Sequence, residues 1–207
     1  MGRYIGPKNK IARRFRTNLN LKTNANKVAR RLNQVPGVHG AKKRALATSA
    51  YGKQLLEKQK AKFMYGLREK QFSKYVKQAS SITGDSGINL QEILEMRFDN
   101  VIYKLGIATT RAQARQMVSH CMFVLNGKKM NVPSHLVKVN DEISIKENKK
   151  EKKIFDGLEE RLQKQELPSW LSLDVKKKTA KVLGRPKNED FEKVFDVKLI
   201  IEYYSIR

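Results

Sequence analysis

The chain has 207 residues, 40% of them apolar and 31% charged, and a formal net charge of +24. That is enough apolar material for a folded core in one or two domains, and no stretch approaches the roughly 20 consecutive apolar residues that span a bilayer. A single cysteine, Cys121, excludes an internal disulfide or a Cys-rich zinc site and points to the reducing cytoplasm, while a charge of this size calls for a polyanionic partner, nucleic acid ahead of an anionic membrane surface.

The opening MGRYIGPKNK lacks the apolar stretch of a secretory signal. Residues 1–60 hold 16 Lys and Arg against one acid, Glu57, so nearly two thirds of the excess charge lies there. With aromatic residues interspersed (Tyr4, Phe15, Tyr51), residues 1–49 read as a basic arm that binds a polyanion. The polar stretch from Thr17 to Lys27 predicts an arm that folds weakly alone and orders on its partner. Pro36, Gly37 and Gly40 mark a loop.

From Ala50 to about Ala79, Leu55, Leu56, Phe63, Met64, Leu67, Phe72, Tyr75 and Val76 recur at helical steps. Lys53, Lys58, Lys60, Lys62, Arg68, Lys70, Lys74 and Lys77 flank this stripe. After a turn-rich break from Ser80 to Gly87, Asn89 and Glu92 read as a capping-box start. The stripe Leu90, Leu94, Phe98, Val101, Ile102 and Leu105 then predicts one helix that stops at Gly106. Thr109 or Thr110 caps a second, short helix ending near His120, with Ala114, Met117 and Val118 inward.

A β signal follows. Phe123-Val124-Leu125 runs into Asn126-Gly127, a strong hairpin turn, and Val137, Val139, Ile143 and Ile145 alternate on either side of Asn140-Asp141. Asp141 and Glu142 read as solvated turn acids. Residues 147–167 read as a charged helical linker, and Pro168 and Trp170 reopen structure. The closing run from Val197 to Tyr204 reads as a dense apolar strand.

No catalytic set is legible. His39, His120 and His135 are scattered, and neither a phosphate-binding lysine loop nor a G-x-G-x-x-G is present. Ser119 and His120 are sequence neighbours on a helix and face different ways. The second short helix is more telling. Arg111 and Arg115, four residues apart, share a face on which two guanidiniums suit neighbouring phosphates. Gln113, Gln116, Ser119 and His120 accompany them, Thr109 and Thr110 lie at a helix start able to hold a phosphate, and Lys128 and Lys129 project from the hairpin. The plainer alternative is a solvated helix face. A helix and a hairpin with spread polar groups suit a folded RNA, which is recognised largely by shape and phosphate geometry. Tyr65, Phe72, Tyr75, Tyr203 and Tyr204 read as core residues or subunit contacts rather than base-stacking platforms.

Residues 97–145 resemble the small α-α-β RNA-binding module named after the fourth small-subunit ribosomal protein. That module also occurs in pseudouridine synthases and some tyrosyl-tRNA synthetases. The flanks are more specific. MGRYIGPKNKIARR, the PGVHG loop, YGKQLLEKQKAKFMYGLREKQFSKY, LIIEYYS and, more loosely, PSWLSLD and GRPKNED are similar, in order, to the bacterial or organellar type of that ribosomal protein family. The resemblance implies an α+β protein with a basic N-terminal extension (1–49), a helical domain (50–96) completed by the C-terminal tail (168–207), and the module with its curled antiparallel sheet (97–146) packed against it. It implies a structural protein of the small subunit that binds the 5′ domain of its ribosomal RNA at a multi-helix junction, early in assembly. The implied surroundings are the fifth small-subunit protein and the channel through which messenger RNA enters, with an influence on decoding accuracy and, in some members, translational repression of the protein's own operon. No cofactor, metal or membrane is implied. The cysteines that hold zinc in many members are absent, so this is the zinc-free form.

Carried onto this chain, the implied RNA contacts fall on Arg3, Tyr4, Lys8, Arg13, Arg14 and Arg44 of the arm. In the helical domain they fall on Tyr51, Lys53, Gln54, Lys58, Arg68 and Gln71. In the module they fall on Arg97, Asn100, Arg111, Arg115, Gln116, Ser119, His120, Asn126, Lys128, Lys129 and Ser134. Two other readings compete. Arg97-Phe98-Asp99 mimics the Arg-Leu-Asp around the catalytic Asp of pseudouridine synthases, but the 61 residues after the module are too few for that catalytic domain. A membrane-surface binder needs an amphipathic helix with a large apolar face in the arm, and residues 1–49 show none.

Overall fold

The computed structural model describes residues 4–22, 24–40, 48–163, 166–174 and 177–205. The chain divides into two compact units, residues 1–90 with 192–207 and residues 91–191. Helices and an antiparallel sheet left open at both edges make it α+β, in line with the expected class.

In the first unit the arm is more structured than its composition predicts. Helix α1 (Lys8–Phe15) buries Ile11, Ala12 and Phe15 and is followed by buried Leu19. Leu21, Leu56, Phe63 and Val194 pack on that cluster. An amphipathic helix therefore does exist within residues 1–49, but its apolar face is covered by protein, which removes the surface a membrane would need. Helix α2 (Ala25–Ala29) starts at Asn24, whose Oδ1 accepts from the Lys27 amide at 2.9 Å.

The helical pattern expected over 50–79 forms two helices, α3 (Ala50–Met64) and α4 (Glu69–Ser81). The break is a Schellman motif: Gly66 sits at φ +63°, its amide donates to the Phe63 carbonyl, and the Leu67 amide donates to that of Lys62. Helix α4 buries Phe72, Tyr75, Val76 and Ala79. The next helix, α5 (Ser86–Glu95), is capped by Asp85 rather than Asn89: Asp85 Oδ1 accepts from the amides of Gly87 and Ile88. Asn89 instead lies inside the helix and donates to the carbonyls of Ala79 and Ile82, tying down the end of α4.

The apolar C-terminal run is a helix, not the expected strand. It is labelled α9 (Val197–Ser205), with Ile200 and Tyr203 buried three residues apart. Its β-branched and aromatic content favours a strand by propensity alone, but packing on α3 rewards a helical stripe and overrides it. The Asp196 carboxylate accepts from the Lys198 amide, and its own amide donates to Glu57 of α3.

The second unit begins within α5 and continues with α6 (Phe98–Lys104). The single helix expected from Asn89 to Leu105 is broken at Met96-Arg97, where Arg97 is extended and bridges to Leu136. The Phe98 and Asp99 amides donate to the carbonyls of His135 and Pro133, so the break is a splice into another segment. Helix α7 (Arg111–Ser119) follows, ending at His120 as anticipated. Strands β1 (Phe123–Leu125) and β2 (Lys128–Met130) form the expected hairpin. Asn126 and Gly127 are at φ +48° and +76°, the paired positive values of a type I′ turn. Asp141 is buried, not a solvated turn acid: it accepts from Asn126 Nδ2 and from the Lys138 amide and so holds two turns together.

Strand β3 (Glu142–Ile145) pairs with β1. The chain then makes two 3₁₀ turns and α8 (Leu158–Gln163), and this stretch is not the expected linker. Phe155, Leu158 and Leu162 are buried in the same core as Phe98 and Phe123. Strands β4 (Leu171–Asp174) and β5 (Thr179–Val182) complete a sheet of order β2-β1-β3-β5-β4. The tail reading is thereby corrected: residues 168–191 belong to the second unit, and only 192–207 complete the helical one. The cause is β5, whose Ala180 and Val182 enter the core once Ile143 pairs with Ala180.

Candidate nucleic-acid interface

The second unit holds a buried charge network. Arg97, with 0% of its side chain exposed, grips Asp99 bidentately through one guanidinium edge, Nε to Oδ1 at 3.1 Å and Nη2 to Oδ2 at 2.6 Å. Arg115 of α7 reaches the same Asp99 Oδ2 at 3.3 Å. Arg111 Nε donates to Asn100 Oδ1 at 2.8 Å, and its guanidinium lies 4.4 Å from the Tyr103 ring centre. Asn100 Nδ2 donates to the carboxylate of Glu95 at 2.8 Å and to its carbonyl at 3.0 Å, and Lys104 stands 3.8 Å from that carboxylate. These bonds knit the end of α5, α6 and the start of α7 into one frame. Its cations, Arg97, Lys104, Arg111 and Arg115, outnumber its carboxylates, Glu95 and Asp99. Buried charges persist only when paired and hydrogen-bonded, so these side chains have fixed positions.

This sorts the expected module contacts. Arg97 and Asn100 are buried, and Arg111 is only 7% exposed, so their first role is to build the frame. Arg115 is the expected contact within the frame that also meets solvent, with 18% of its side chain exposed, and Lys104 does so to a similar degree at 17%. Gln116, Ser119 and His120 on α7 are exposed, as are Lys128 and Lys129. Ser119 Oγ donates to the Arg115 carbonyl. Asn126 is exposed yet occupied, since its Oδ1 accepts from the Glu142 amide while its amide group serves Asp141. Ser134 is half-buried. The helix start is partly filled from within: Thr110 Oγ1 accepts from the Gln113 amide, and Gln113 Oε1 accepts from both the amide and the hydroxyl of Thr109. The sequence reading missed Asp99 and Glu95 as framing acids. Their signal was a pair of acids, each two residues from Arg97, inside the apolar stripe from Leu90 to Leu105.

In the first unit, Lys58 is buried and bonded to Glu69 at 2.9 Å, with its ammonium 4.6 Å from the Tyr203 ring centre. It is a cross-brace rather than a free phosphate ligand. Gln54 donates to Glu202 and Gln71 to the Tyr75 hydroxyl. Arg13 is also structural, donating to the carbonyls of Gln34 and Val35 and folding the loop back onto α1. Tyr51 stacks on Tyr203 with ring centres 5.7 Å apart, and Tyr4 meets Phe63 edge-on, each keeping about half its surface in solvent. Arg14, Lys53 and Arg68 are exposed, and Lys8 is half-buried. Arg3 and Arg44 lie outside the described residues.

Glu69 is the hub of the helical unit. Partial burial works to raise its pKa, but hydrogen bonds from Tyr204, Lys58 and Lys62, with the charge of Lys58, overcome this and lower it from an ordinary 4.5 to about 2. A carboxyl with a depressed folded-state pKa adds stability that is complete above the unfolded value and is lost as pH falls through the folded one. Wild type should therefore lose stability relative to Glu69→Gln as pH drops from 4.5 towards about 2, the gap between them closing over that range. Thermal unfolding of both proteins at stepped pH checks this; a gap that stays constant down to about pH 2 would contradict the assignment.

Residues 3–95 match the family described as ribosomal protein S4/S9 N-terminal domain, and residues 96–143 match the S4 domain. Two relatives from Psychromonas ingrahamii, small ribosomal subunit proteins uS4A and uS4B, are each 42% identical over 207 residues, covering 99% of this chain and all of theirs. Small ribosomal subunit protein uS4 of Chloroflexus aurantiacus shows the same identity and coverage.

Proposed function

The chain belongs to the uS4 family of small ribosomal subunit proteins, and from that premise we propose that it binds the 5′ domain of small-subunit ribosomal RNA at a multi-helix junction. As a member of the family it is a structural protein of the small subunit of the cytoplasmic ribosome, and not an enzyme. The observation that carries the RNA reading is the frame behind α7: Arg115 is fixed by Asp99 and meets solvent on the same helix as exposed Gln116, Ser119 and His120. A pre-positioned cation gives up little conformational entropy on meeting a phosphate. Unneutralised Lys and Arg elsewhere release counterions from the RNA and supply affinity, while the fixed groups supply selectivity for shape.

On the same reading the protein joins assembly early, helps form the subunit body and affects decoding accuracy. Its neighbours are then the fifth small-subunit protein and the channel admitting messenger RNA, and repression of its own operon is a further role. The pseudouridine synthase alternative loses its one motif here, because the Asp99 carboxylate is buried and held by two guanidiniums. The reading is tested by filter binding of the full chain to a 5′-domain transcript beside an unrelated RNA of equal length. A preference for the 5′ domain is expected; equal binding would overturn the reading.

A further inference from the structure

The lysines along the middle of α3 differ from those of α4. On α3, Lys53 near the helix start is exposed, whereas Lys58, Lys60 and Lys62 are each neutralised inside the unit: Lys58 and Lys62 by Glu69 at 2.9 and 3.0 Å, Lys60 by Glu57 at 2.6 Å. On α4, Lys70, Lys74 and Lys77 are all exposed, and among the described residues none of the three forms an ion pair. The helical period places these three opposite the stripe of Phe72, Tyr75, Val76 and Ala79 that α4 buries. The acid on α4, Glu69, is engaged with Lys58, Lys62 and Tyr204. The outer pole of α4 is thus a cationic ridge about 10 Å long at 1.5 Å per residue.

We infer that this ridge is an RNA phosphate-backbone contact of the helical unit, in place of the α3 lysine Lys58. The inference rests on the RNA-binding reading above. Charge complementarity selects the occupant: unpaired ammonium groups in a row, without exposed aromatic or apolar neighbours on that face, suit a phosphate strand and offer nothing to read a base. Lysine fits this role as a flexible point charge. The ridge therefore contributes affinity and salt dependence with little sequence preference.

The test uses the full chain, the 5′-domain transcript and a salt series. The variants are Lys70→Gln with Lys74→Gln and Lys77→Gln, and the matching triple Lys→Arg protein. The Gln triple is expected to bind at least about tenfold more weakly at 0.15 M salt, with a log–log salt slope shallower by about 2 to 3, near 0.9 per lost phosphate contact. The Arg triple should bind like wild type, and thermal unfolding of both should be unchanged because every site is exposed. An unaltered slope and affinity in the Gln triple would overturn the inference, as would equal weakening of the Gln and Arg triples. Should wild type show no preference for the 5′ domain, the functional reading fails separately, and the ridge is then judged by the slope on either RNA.

Discussion

Replacing Asp99 by Ala is expected to destabilise the second unit by about 3–5 kcal/mol, the scale for breaking a buried ion pair by removing one partner. Asp99 is 4% exposed and neutralises two guanidiniums at once, Arg97 fully buried and Arg115 partly so. Its loss leaves the Arg97 charge in the core without the carboxylate that neutralises it, and desolvation then works against folding. The penalty arises from the orphaned charge rather than from the lost attraction. Changing Arg97 to Met and Asp99 to Leu together should accordingly cost far less than Asp99→Ala alone. Urea unfolding of the three proteins, with wild type as reference, measures both. A cost below about 1 kcal/mol for the single variant would mean that water reaches Arg97, and the frame would not be rigid.

Trp170→Ala should cost a similar amount, about 3–5 kcal/mol, as expected for emptying a large buried site. Trp170 is 3% exposed and belongs to the cluster that holds Phe98, Phe123 and Ile143. Its carbonyl also accepts from the Leu183 amide, closing the β4–β5 hairpin. The effect is local to the second unit, so the amides of Phe123–Leu125 and Ile143–Ile145 should lose protection from hydrogen exchange before those of α3 and α4. If instead α3 and α4 exchanged first, residues 168–191 would support the helical unit, as the tail reading from sequence had it.

The elements legible in the sequence were those whose signal is local. The α3–α4 stripe, α7 with its threonine cap and the Asn-Gly hairpin need only neighbours a few residues away. What was illegible depends on distant partners. Helix α1 is a short apolar stripe that matters only because Leu56 and Phe63 of α3 cover it. The run from Val197 to Tyr204 is strand-like by propensity and helical because α3 takes its stripe. The segment containing Phe155, Leu158 and Leu162 looked like a linker because its charges are many and its apolar residues few.

The site was legible to a similar degree. Residue types on α7 pointed to a cationic surface, and Arg115, Gln116, Ser119 and His120 do reach solvent. Arg97, Asn100 and Arg111 share those types but are buried, because the helix break at Arg97 turns them inward to Asp99 and Glu95. Lys58 was indistinguishable by sequence from Lys70 or Lys74; only the fold brings Glu69 to it.

The central claim is that this chain recognises a folded RNA by shape, with its basic residues adding affinity. The most direct measurement is a binding titration of 5′-domain transcript and an equal-length unrelated RNA across a salt series. The account predicts that both affinities fall with salt while a preference of at least about tenfold for the 5′ domain persists at moderate salt, because fixed groups such as Arg115 add contacts that counterion release alone does not. Identical affinities that collapse together as salt rises would contradict it and leave only a non-specific polycation.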